Sequence, residues 1–348
     1  NTYPDYEFLV AQTVLAVDHL QGTARLEGWD IDDKRLREEL DYLASLPVAA
    51  RFTAPQKERI RAVADVDDAG FRADVDKLKG NIHAGDIYQV VPARAFTVEC
   101  PNALAAYRAL RETNPSPYMF YVRGASYELF GASPESNLKF TPEDRQVQLY
   151  PIAGTRPRGL NPDGSINHEL DIRNELDMRT DQKEVAEHTM LVDLARNDLA
   201  RVAVPRSRQV AELLHVDRYS RVMHLVSRVT ATLHPDFDAL DAFRACMNMG
   251  TLTGAPKLRA TEFVRRTEGK RRGSYGGAVG YLRGDGAMDN CIVIRSAYVQ
   301  DGTAVVQAGA GVVKDSVPQA EADETVHKAY AVLHAIAIAH GAELEVQR

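Results

Sequence analysis

The hydrophobic and polar positions of this chain follow two periods, and together they predict a fold of mixed strands and helices. Alternating apolar residues predict strands near 5–17, 86–98, 117–123, 127–132, 146–151, 208–216, 219–233, 276–283, 289–300 and 303–309. Apolar residues three or four positions apart predict helices near 32–45, 56–65, 70–84, 102–113, 182–201, 238–245, 255–267 and 318–340.

Several predicted strands come in pairs split by short turns, at 123–126 and 300–302, which is typical of antiparallel hairpins. With helices interspersed, they predict an α+β fold with large, mainly antiparallel sheets. A Pro/Ala-rich stretch at 46–56 suggests a boundary, so we expect a strand-plus-helix region at 1–55 and the main domain at 56–348. Because the chain opens with Asn1 and enters an apparent strand at once, we expect it to lack an N-terminal segment.

Composition narrows the class of protein. The 348 residues are 45% hydrophobic, which is enough for a large core, and the formal net charge is −7. The chain has no long Lys/Arg block of the kind that binds nucleic acid. It also has no apolar run that reaches the ~18 residues of a membrane helix. Three cysteines do not suggest a disulfide framework, so we expect the protein to be located in a reducing cytoplasm.

Two predicted helices each carry a pair of glutamates at i,i+3 spacing. Glu184 and Glu187 lie on one face of the helix at 182–201, and Glu321 and Glu324 repeat the spacing early in the last helix. Such a pair is more often a solvated rim than a ligand set. Two helices offering carboxylates could nevertheless form an oxygen-rich site for Mg²⁺.

Glycines and isolated basic residues suggest contact with an anion. Gly309 and Gly311 do not form a dinucleotide loop, because the third glycine would fall on Lys314. They fit better as exposed backbone N–H groups beside an anion. Arg295, within an apparently apolar strand, needs an anionic partner. His224 has a pKa suited to proton transfer, although a lone strand histidine is more often a core residue.

Ordered blocks along nearly the whole chain resemble the chorismate-utilising enzymes, which include anthranilate, aminodeoxychorismate, isochorismate and salicylate synthases. The blocks lie at 85–91, 114–119, 131–136, 151–159, 191–198, 249–257, 273–277 and 307–311. The resemblance implies a large sandwich of two antiparallel sheets with helices outside. It also implies Mg²⁺ as cofactor and chorismate as substrate.

The resemblance assigns roles to matching positions. The implied residues are Glu135, His224 and Thr251 for catalysis; Gly154, Thr155, Tyr275, Arg295, Gly309 and Gly311 for the substrate; Glu187 and Glu324, supported by Glu184 and Glu321, for Mg²⁺; and Asn114, Pro115, Ser116, Tyr118, Met119, Gly131 and Cys291 for tryptophan as feedback inhibitor. Glu135 would protonate the departing 4-hydroxyl, helped by His224. The other half of the tryptophan site would lie in the missing N-terminal segment, so we expect the site to be incomplete.

Two positions select a reaction within the family. Isochorismate and salicylate synthases carry a water-activating lysine where this chain has Gln89, so ammonia fits better as nucleophile. Aminodeoxychorismate synthases usually carry a lysine at the Ala153 position, so amination at position 2 remains. His224 is the family residue associated with elimination of pyruvate. We therefore expect an anthranilate synthase activity, the first step of tryptophan biosynthesis.

The nitrogen source and two alternatives complete the prediction. None of the three cysteines lies on the glycine-flanked turn of a glutaminase nucleophile, so ammonia is free or comes from a separate glutamine amidotransferase subunit. One alternative is a 2-amino-2-deoxyisochorismate synthase of secondary metabolism, which stops before pyruvate loss. The other is a non-catalytic regulatory module that binds an amino acid.

Overall fold

The computed structural model describes residues 4–47, 58–219 and 221–348, and only the backbone of Lys183. Two compact units are present, Asn1–Thr53 and Ala54–Arg348. The boundary expected between 55 and 56 falls outside the described residues.

The first unit contains an antiparallel hairpin and a helix. Strand β1 (Thr13–Asp18) pairs with β2 (Thr23–Gly28), and α1 (Asp33–Ser45) follows its N-cap Asp32. The prediction of a strand from residue 5 is wrong, because residues 4–12 form no strand. Thr13 is paired with Gly28, where β2 ends, so the residues before Thr13 have no strand to pair with in this unit.

The second unit contains the remaining elements. Its strands are β3 (Arg59–Ala64), β4 (Gln89–Val90), β5 (Ala93–Glu99), β6 (Tyr118–Arg123), β7 (Glu128–Ser133), β8 (Ser136–Thr141), β9 (Gln146–Leu149), β10 (Ile152–Pro157), β11 (Gln209–Arg218), β12 (Val222–Thr232), β13 (Gly254–Ala255), β14 (Ala278–Leu282), β15 (Met288–Ile292), β16 (Ser296–Gln300), β17 (Thr303–Gly309) and β18 (Glu343–Gln347). Its helices are α2 (Asp68–His83), α3 (Ala103–Thr113), α4 (His168–Thr180), α5 (Gln182–Ala200), α6 (Ala239–Cys246), α7 (Gly250–Thr253), α8 (Lys257–Glu268) and α9 (Pro318–His340).

Two seven-stranded sheets dominate this unit. One has the order β18-β3-β5-β17-β16-β7-β6, and the other β10-β12-β9-β8-β15-β14 with β11 also paired to β12. A short two-stranded sheet joins β13 to β4. Among the described strands only β18 and β3 run parallel. The predicted α+β fold with two large, mainly antiparallel sheets is confirmed.

One predicted helix is a strand. Residues 56–65 were expected to be helical, but their described part forms β3. Ile60 and Ala62 are buried while Arg59, Arg61 and Val63 are exposed, which is the alternation of a strand. Pairing with β5 and β18 satisfies its backbone and overrides any local helical preference.

Other differences concern elements that lack a clear apolar face. Helix α4 was not predicted, and it buries only Asp171 and Met178 while Ile172 and Leu176 are exposed. Five strands were also missed: β2, β8, β10, β13 and β18. The single strand expected at 289–300 is two strands, β15 and β16. A search for amphipathic periodicity cannot detect a helix such as α4, whose outward face is as apolar as its inward face.

Buried polar contacts hold the helices that border the site. Arg94, with 1% of its surface exposed, donates to Thr325 Oγ1 at 2.8 Å and to the Ala322 carbonyl at 3.0 Å, both on α9. Lys257 Nζ lies 2.6 Å from Asp198 Oδ2, joining the start of α8 to the end of α5. These contacts fix the first turns of α9 and the segment around α7.

Candidate functional site

Arg295 lies at the centre of the candidate site, in the break between β15 and β16. The prediction that it lies inside a strand is wrong, because its φ of +49° interrupts the ladder, and its carbonyl accepts from Ala132 N at 3.0 Å. Burial lowers the pKa of its guanidinium, while Tyr275, Glu324 and Glu135 act in the opposite direction. Among the described residues the side chain has no hydrogen bond or salt bridge, so a cation faces the site without a direct partner.

Glu135 is a buried carboxyl group beside this cation. It follows β7 with 6% of its surface exposed, and within the described residues its Oε1 has no hydrogen-bond partner. Burial raises its pKa to about 8, although Thr251, Lys328 and Arg295 act to lower it. Near pH 7 the group is therefore mostly protonated, which is the state a general acid needs.

Thr251 lies in the short helix α7, close enough to Glu135 to lower the pKa of that carboxyl. The geometry does not complete a hydrogen bond, because Thr251 Oγ1 is buried without a partner among the described residues. Two adjacent polar atoms, one on each residue, are thus unsatisfied. A buried polar atom without a partner is costly, so this pair suits a ligand that supplies the missing contacts.

His224 lies on β12, as the sequence predicts. Its Nδ1 is 2.9 Å from Thr155 Oγ1 on β10. Burial, followed by the charge of Arg295, lowers its pKa to about 4, below the near-neutral value expected from the sequence. The imidazole is therefore neutral at pH 7 and can accept a proton rather than supply one.

Tyr275 and Gly309 lie against each other near Arg295. A Cβ placed on Gly309 would lie 2.9 Å from the Tyr275 hydroxyl and 2.8 Å from the Pro92 carbonyl. Burial raises the pKa of Tyr275 to about 12, so the hydroxyl keeps its proton and can donate. The close approach explains why glycine occupies position 309.

Lys328 is a site residue that the sequence analysis missed. Its Nζ lies 2.5 Å from Glu324 Oε1 and 3.1 Å from the Gly309 carbonyl, and its charge lowers the pKa of Glu135. The only sequence signal was its i,i+4 spacing from Glu324, which is equally typical of an ordinary surface pair.

The two glutamates of α5 face glycine-containing segments. Glu187 Oε1 accepts from Gln89 Nε2 at 2.8 Å, and a Cβ on Gly311 would lie 3.4 Å from that oxygen. Glu184 Oε1 accepts from Arg156 at 2.5 Å. Its Oε2 is buried without a hydrogen-bond partner among the described residues, 2.7 Å from a Cβ placed on Gly154.

The α9 glutamates border the same region. Glu321 is buried, with 4% of its surface exposed, and Glu324 is paired with Lys328. Within the described ranges no three His, Cys, Asp or Glu side chains are gathered as a metal cluster. Mg²⁺ often takes only one or two carboxylates and completes its shell with substrate and water. The unpartnered Glu184 oxygen fits a hard cation, and the magnesium site stays a prediction.

The residues expected to bind tryptophan lie partly together. Tyr118 on β6 donates to Asp289 on β15 at 2.9 Å, linking the two large sheets, and Cys291 lies near the same hydroxyl. Gly131 is closely surrounded, since a Cβ there would lie 2.5 Å from Phe120 Cζ. Asn114 is the C-cap of α3, Pro115 and Ser116 lie between α3 and β6, and Met119 is the second residue of β6. Asp289 was not predicted, and the tryptophan site stays a prediction.

None of the helices in the described part of the chain has the length and apolar character required to cross a membrane.

Comparisons with known proteins identify the family of this chain. Residues 1–334 match the family model of the chorismate binding enzymes. Anthranilate synthase component 1 of Salmonella typhimurium is 54% identical over 99% of this chain and 67% of the relative. The protein of that name from Vibrio parahaemolyticus is 55% identical over 98% of this chain and 64% of the relative.

A crystal structure of anthranilate synthase component I from Streptococcus pneumoniae superposes with a TM-score of 0.80 and 33% identity, covering 92% of this chain and 72% of that one. This chain spans about two thirds of the length of the curated relatives described above. The match over nearly every residue and the shared fold lead to one conclusion: the chain belongs to the chorismate-binding enzyme family.

Proposed function

We propose that this chain acts as the large subunit of an anthranilate synthase, converting chorismate and ammonia to anthranilate and pyruvate. The observation that carries the proposal is the position of Arg295, whose side chain has no hydrogen bond or salt bridge in the described residues, close to the buried carboxyl of Glu135, whose pKa burial raises to about 8. Chorismate offers two carboxylates and a hydroxyl leaving group, so it needs a cation and an acid side by side.

The residues around Arg295 suit the enolpyruvyl carboxylate. Its guanidinium can make charge-assisted hydrogen bonds, and the protonated Tyr275 hydroxyl can add another. The backbone near Gly311 approaches without a side chain. Lys328 adds a second positive charge, held by Glu324 and the Gly309 carbonyl.

Proton transfers are divided between two residues. Glu135 donates its proton to the 4-hydroxyl as that group leaves, because burial keeps the carboxyl protonated. The neutral His224 then accepts the proton at position 2 as pyruvate is eliminated, with Thr155 holding its other ring nitrogen. Mg²⁺, when bound by Glu187 and Glu324 with Glu184 and Glu321 in support, supplies positive charge for the ring carboxylate.

The nucleophile follows from two positions. Gln89 is buried and bound to Glu187, and an amide cannot deprotonate water. Ala153 provides no amine for chemistry at position 4. Ammonia needs no base before it attacks position 2, so it fits this site better than water.

Ammonia from glutamine would require a partner subunit. Cys100, Cys246 and Cys291 are all buried free thiols, and burial raises the pKa of each. A glutaminase nucleophile must be an accessible thiolate, which none of them provides. A separate glutamine amidotransferase in a reducing cytoplasm is therefore part of the proposal, as is feedback inhibition by tryptophan at the Tyr118 region.

The test is to incubate the purified chain with chorismate, Mg²⁺ and ammonium, and to follow anthranilate fluorescence. The rate should rise with pH because NH₃ is the reacting species, and glutamine alone should give no product. Chromatography separates anthranilate from a non-fluorescent aminated intermediate, which would indicate an enzyme that stops before pyruvate loss. Consumption of chorismate without ammonium, or use of glutamine by this chain alone, would contradict the proposal.

A further inference from the structure

Strand β12, which carries His224, has an irregular neighbour on each side. On β10 the register passes from Ile152, opposite Val226, to Thr155, opposite His224, so an extra residue bulges out. On β11 the pairing is also shifted between Glu212 and His215. A bulge leaves backbone N–H or C=O groups outside the ladder, and a buried one needs another partner.

A chain of three hydrogen bonds joins the two irregularities. Leu214 N, in the β11 irregularity, donates to Ser227 Oγ at 2.9 Å. Ser227 Oγ lies 2.7 Å from His188 Nε2, and His188 Nδ1 lies 3.1 Å from the carbonyl of Ala153, in the β10 bulge. A helix side chain and a strand side chain thus satisfy one backbone group in each neighbouring strand.

The chemistry of these atoms fixes the direction of the chain. A carbonyl oxygen only accepts, so His188 Nδ1 must carry the proton that it donates to Ala153. Ser227 Oγ accepts from Leu214 N, which leaves its own hydroxyl proton available to donate to His188 Nε2. His188 and Ser227 have no exposed surface.

The two residues that follow Ala153 each lie against a residue of the candidate site. The next residue, Gly154, has φ of +94°, and a Cβ there would lie 2.7 Å from Glu184 Oε2. The residue after it, Thr155, provides the hydroxyl at 2.9 Å from His224 Nδ1. Movement of the Ala153 peptide would therefore displace both contacts.

We propose that His188, acting with Ser227, is a positioning residue that fixes the Ala153–Gly154–Thr155 turn and thereby the ring of His224. The inference rests on the proposed function for its kinetic readout but concerns residues outside the substrate-contacting set. The competing interpretation is a satisfied core histidine that contributes to stability alone. The two interpretations differ in whether the orientation and hydrogen bonding of the His224 ring change in a variant that still folds.

The kinetic experiment uses the full chain with ammonium and chorismate. Ser227→Ala and His188→Phe should each lower kcat by about 10- to 100-fold, as loss of a supporting hydrogen bond commonly does, with KM for chorismate little changed. The double variant should be no worse than His188→Phe, because one chain of bonds is cut twice. Thr189→Val is the matched control, since Thr189 Oγ1 only donates to its own helix at Val185 O.

An independent readout is the ¹⁵N spectrum of the histidine rings. In Ser227→Ala the His224 nitrogen shifts should move toward those of Thr155→Val, which removes the His224 partner directly, while Thr189→Val should leave them unchanged. Unchanged His224 shifts in folded Ser227→Ala would overturn the proposal, and so would a loss of activity that only follows a loss of folded protein. If the wild-type chain makes no anthranilate, the proposed function fails, and the spectra still decide the positioning role.

Discussion

The candidate site has two ends, which differ in whether their charged groups have partners within the protein. We call them the Arg295 end and the carboxylate end, the latter formed by the glutamates of α5 and α9. Around Arg295, the guanidinium has no direct partner in the described residues, and Glu135 and Thr251 each leave a buried oxygen unsatisfied. Among the carboxylates of α5 and α9, Glu184 Oε1 is paired with Arg156 and Glu324 with Lys328, and of their buried oxygens only Glu184 Oε2 is left without a hydrogen-bond partner in the described residues.

This difference shows which part of the site is prepared before a ligand arrives. A partly buried cation without a partner lowers stability, and a ligand carboxylate recovers that free energy on binding. A carboxylate with an internal cation is stable without a metal, so an ion must compete with that cation. We therefore expect chorismate recognition to be largely preorganised and metal binding at Glu324 to require displacement of Lys328.

The largest expected effect is on the Arg295 end. Glu135→Gln keeps the volume and the neutral state but removes the transferable proton, so kcat should fall by about 10²- to 10⁴-fold with chorismate binding retained. Stopped assays at saturating chorismate, with circular dichroism as the folding control, measure this. A folded variant with nearly normal kcat would show that another group is the acid.

A smaller effect is expected at the carboxylate end. Glu324→Gln removes a hard anionic ligand and should reduce turnover by about 100-fold while raising the Mg²⁺ concentration needed for half-maximal rate. Glu343→Gln, an exposed glutamate on β18, is the control. Normal turnover with the same Mg²⁺ dependence would remove Glu324 from the metal site.

His224→Met tests the histidine whose pKa is lowered by burial and by the charge of Arg295. It keeps bulk in β12 but removes the accepting nitrogen, so chorismate should still be consumed while anthranilate formation falls by about tenfold or more. A non-fluorescent aminated intermediate should accumulate and be visible by chromatography. Normal anthranilate formation would make His224 a core histidine, whereas loss of both steps in a folded variant would show that it also assists departure of the hydroxyl.

The smallest expected effect is a change in thermal stability with pH. The pKa of Glu135 is raised in the folded state to about 8 from an ordinary value of 4.5, so the folded chain binds more protons than the unfolded chain between these values. Its contribution to stability is therefore present at low pH and is lost as pH rises toward 8. Relative to wild type, Glu135→Gln should gain about 2 °C in Tm per pH unit from 5 to 8. A pH-independent difference in Tm would contradict the raised pKa.

The sequence predicted the fold where periodicity and burial agree. Helices α5 and α9 and the hairpin of β16 and β17 follow the expected pattern. Hydrophobic periodicity gave a wrong prediction for β3, which is short and alternates only twice. It gave no prediction for α4, whose outer face is apolar. In both cases pairing or packing with distant residues decides the structure, and a local pattern does not contain that information.

The site was predicted from resemblance more than from residue spacing. Spacing gave the carboxylate pairs and marked Arg295 as unusual, but it could not show that Glu135 and Glu324 lie near Arg295. It also missed the partners that lie far away in sequence, such as Arg156 beside Glu184 and Asp289 beside Tyr118. The pKa of His224 depends on burial beside Arg295, which only the three-dimensional structure provides.

The buried cysteines have a practical consequence for a two-protein reaction. With thiol pKa values of about 11 for Cys100 and about 12 for Cys246 and Cys291, only about one thiol in a thousand or fewer is ionised at pH 8. Iodoacetamide reacts with thiolates and should leave this chain unmodified while it inactivates a glutaminase that depends on an exposed cysteine. If the proposed amidotransferase partner supplies the ammonia, this treatment should convert a mixture of the two proteins from glutamine dependence to ammonia dependence without a mutation.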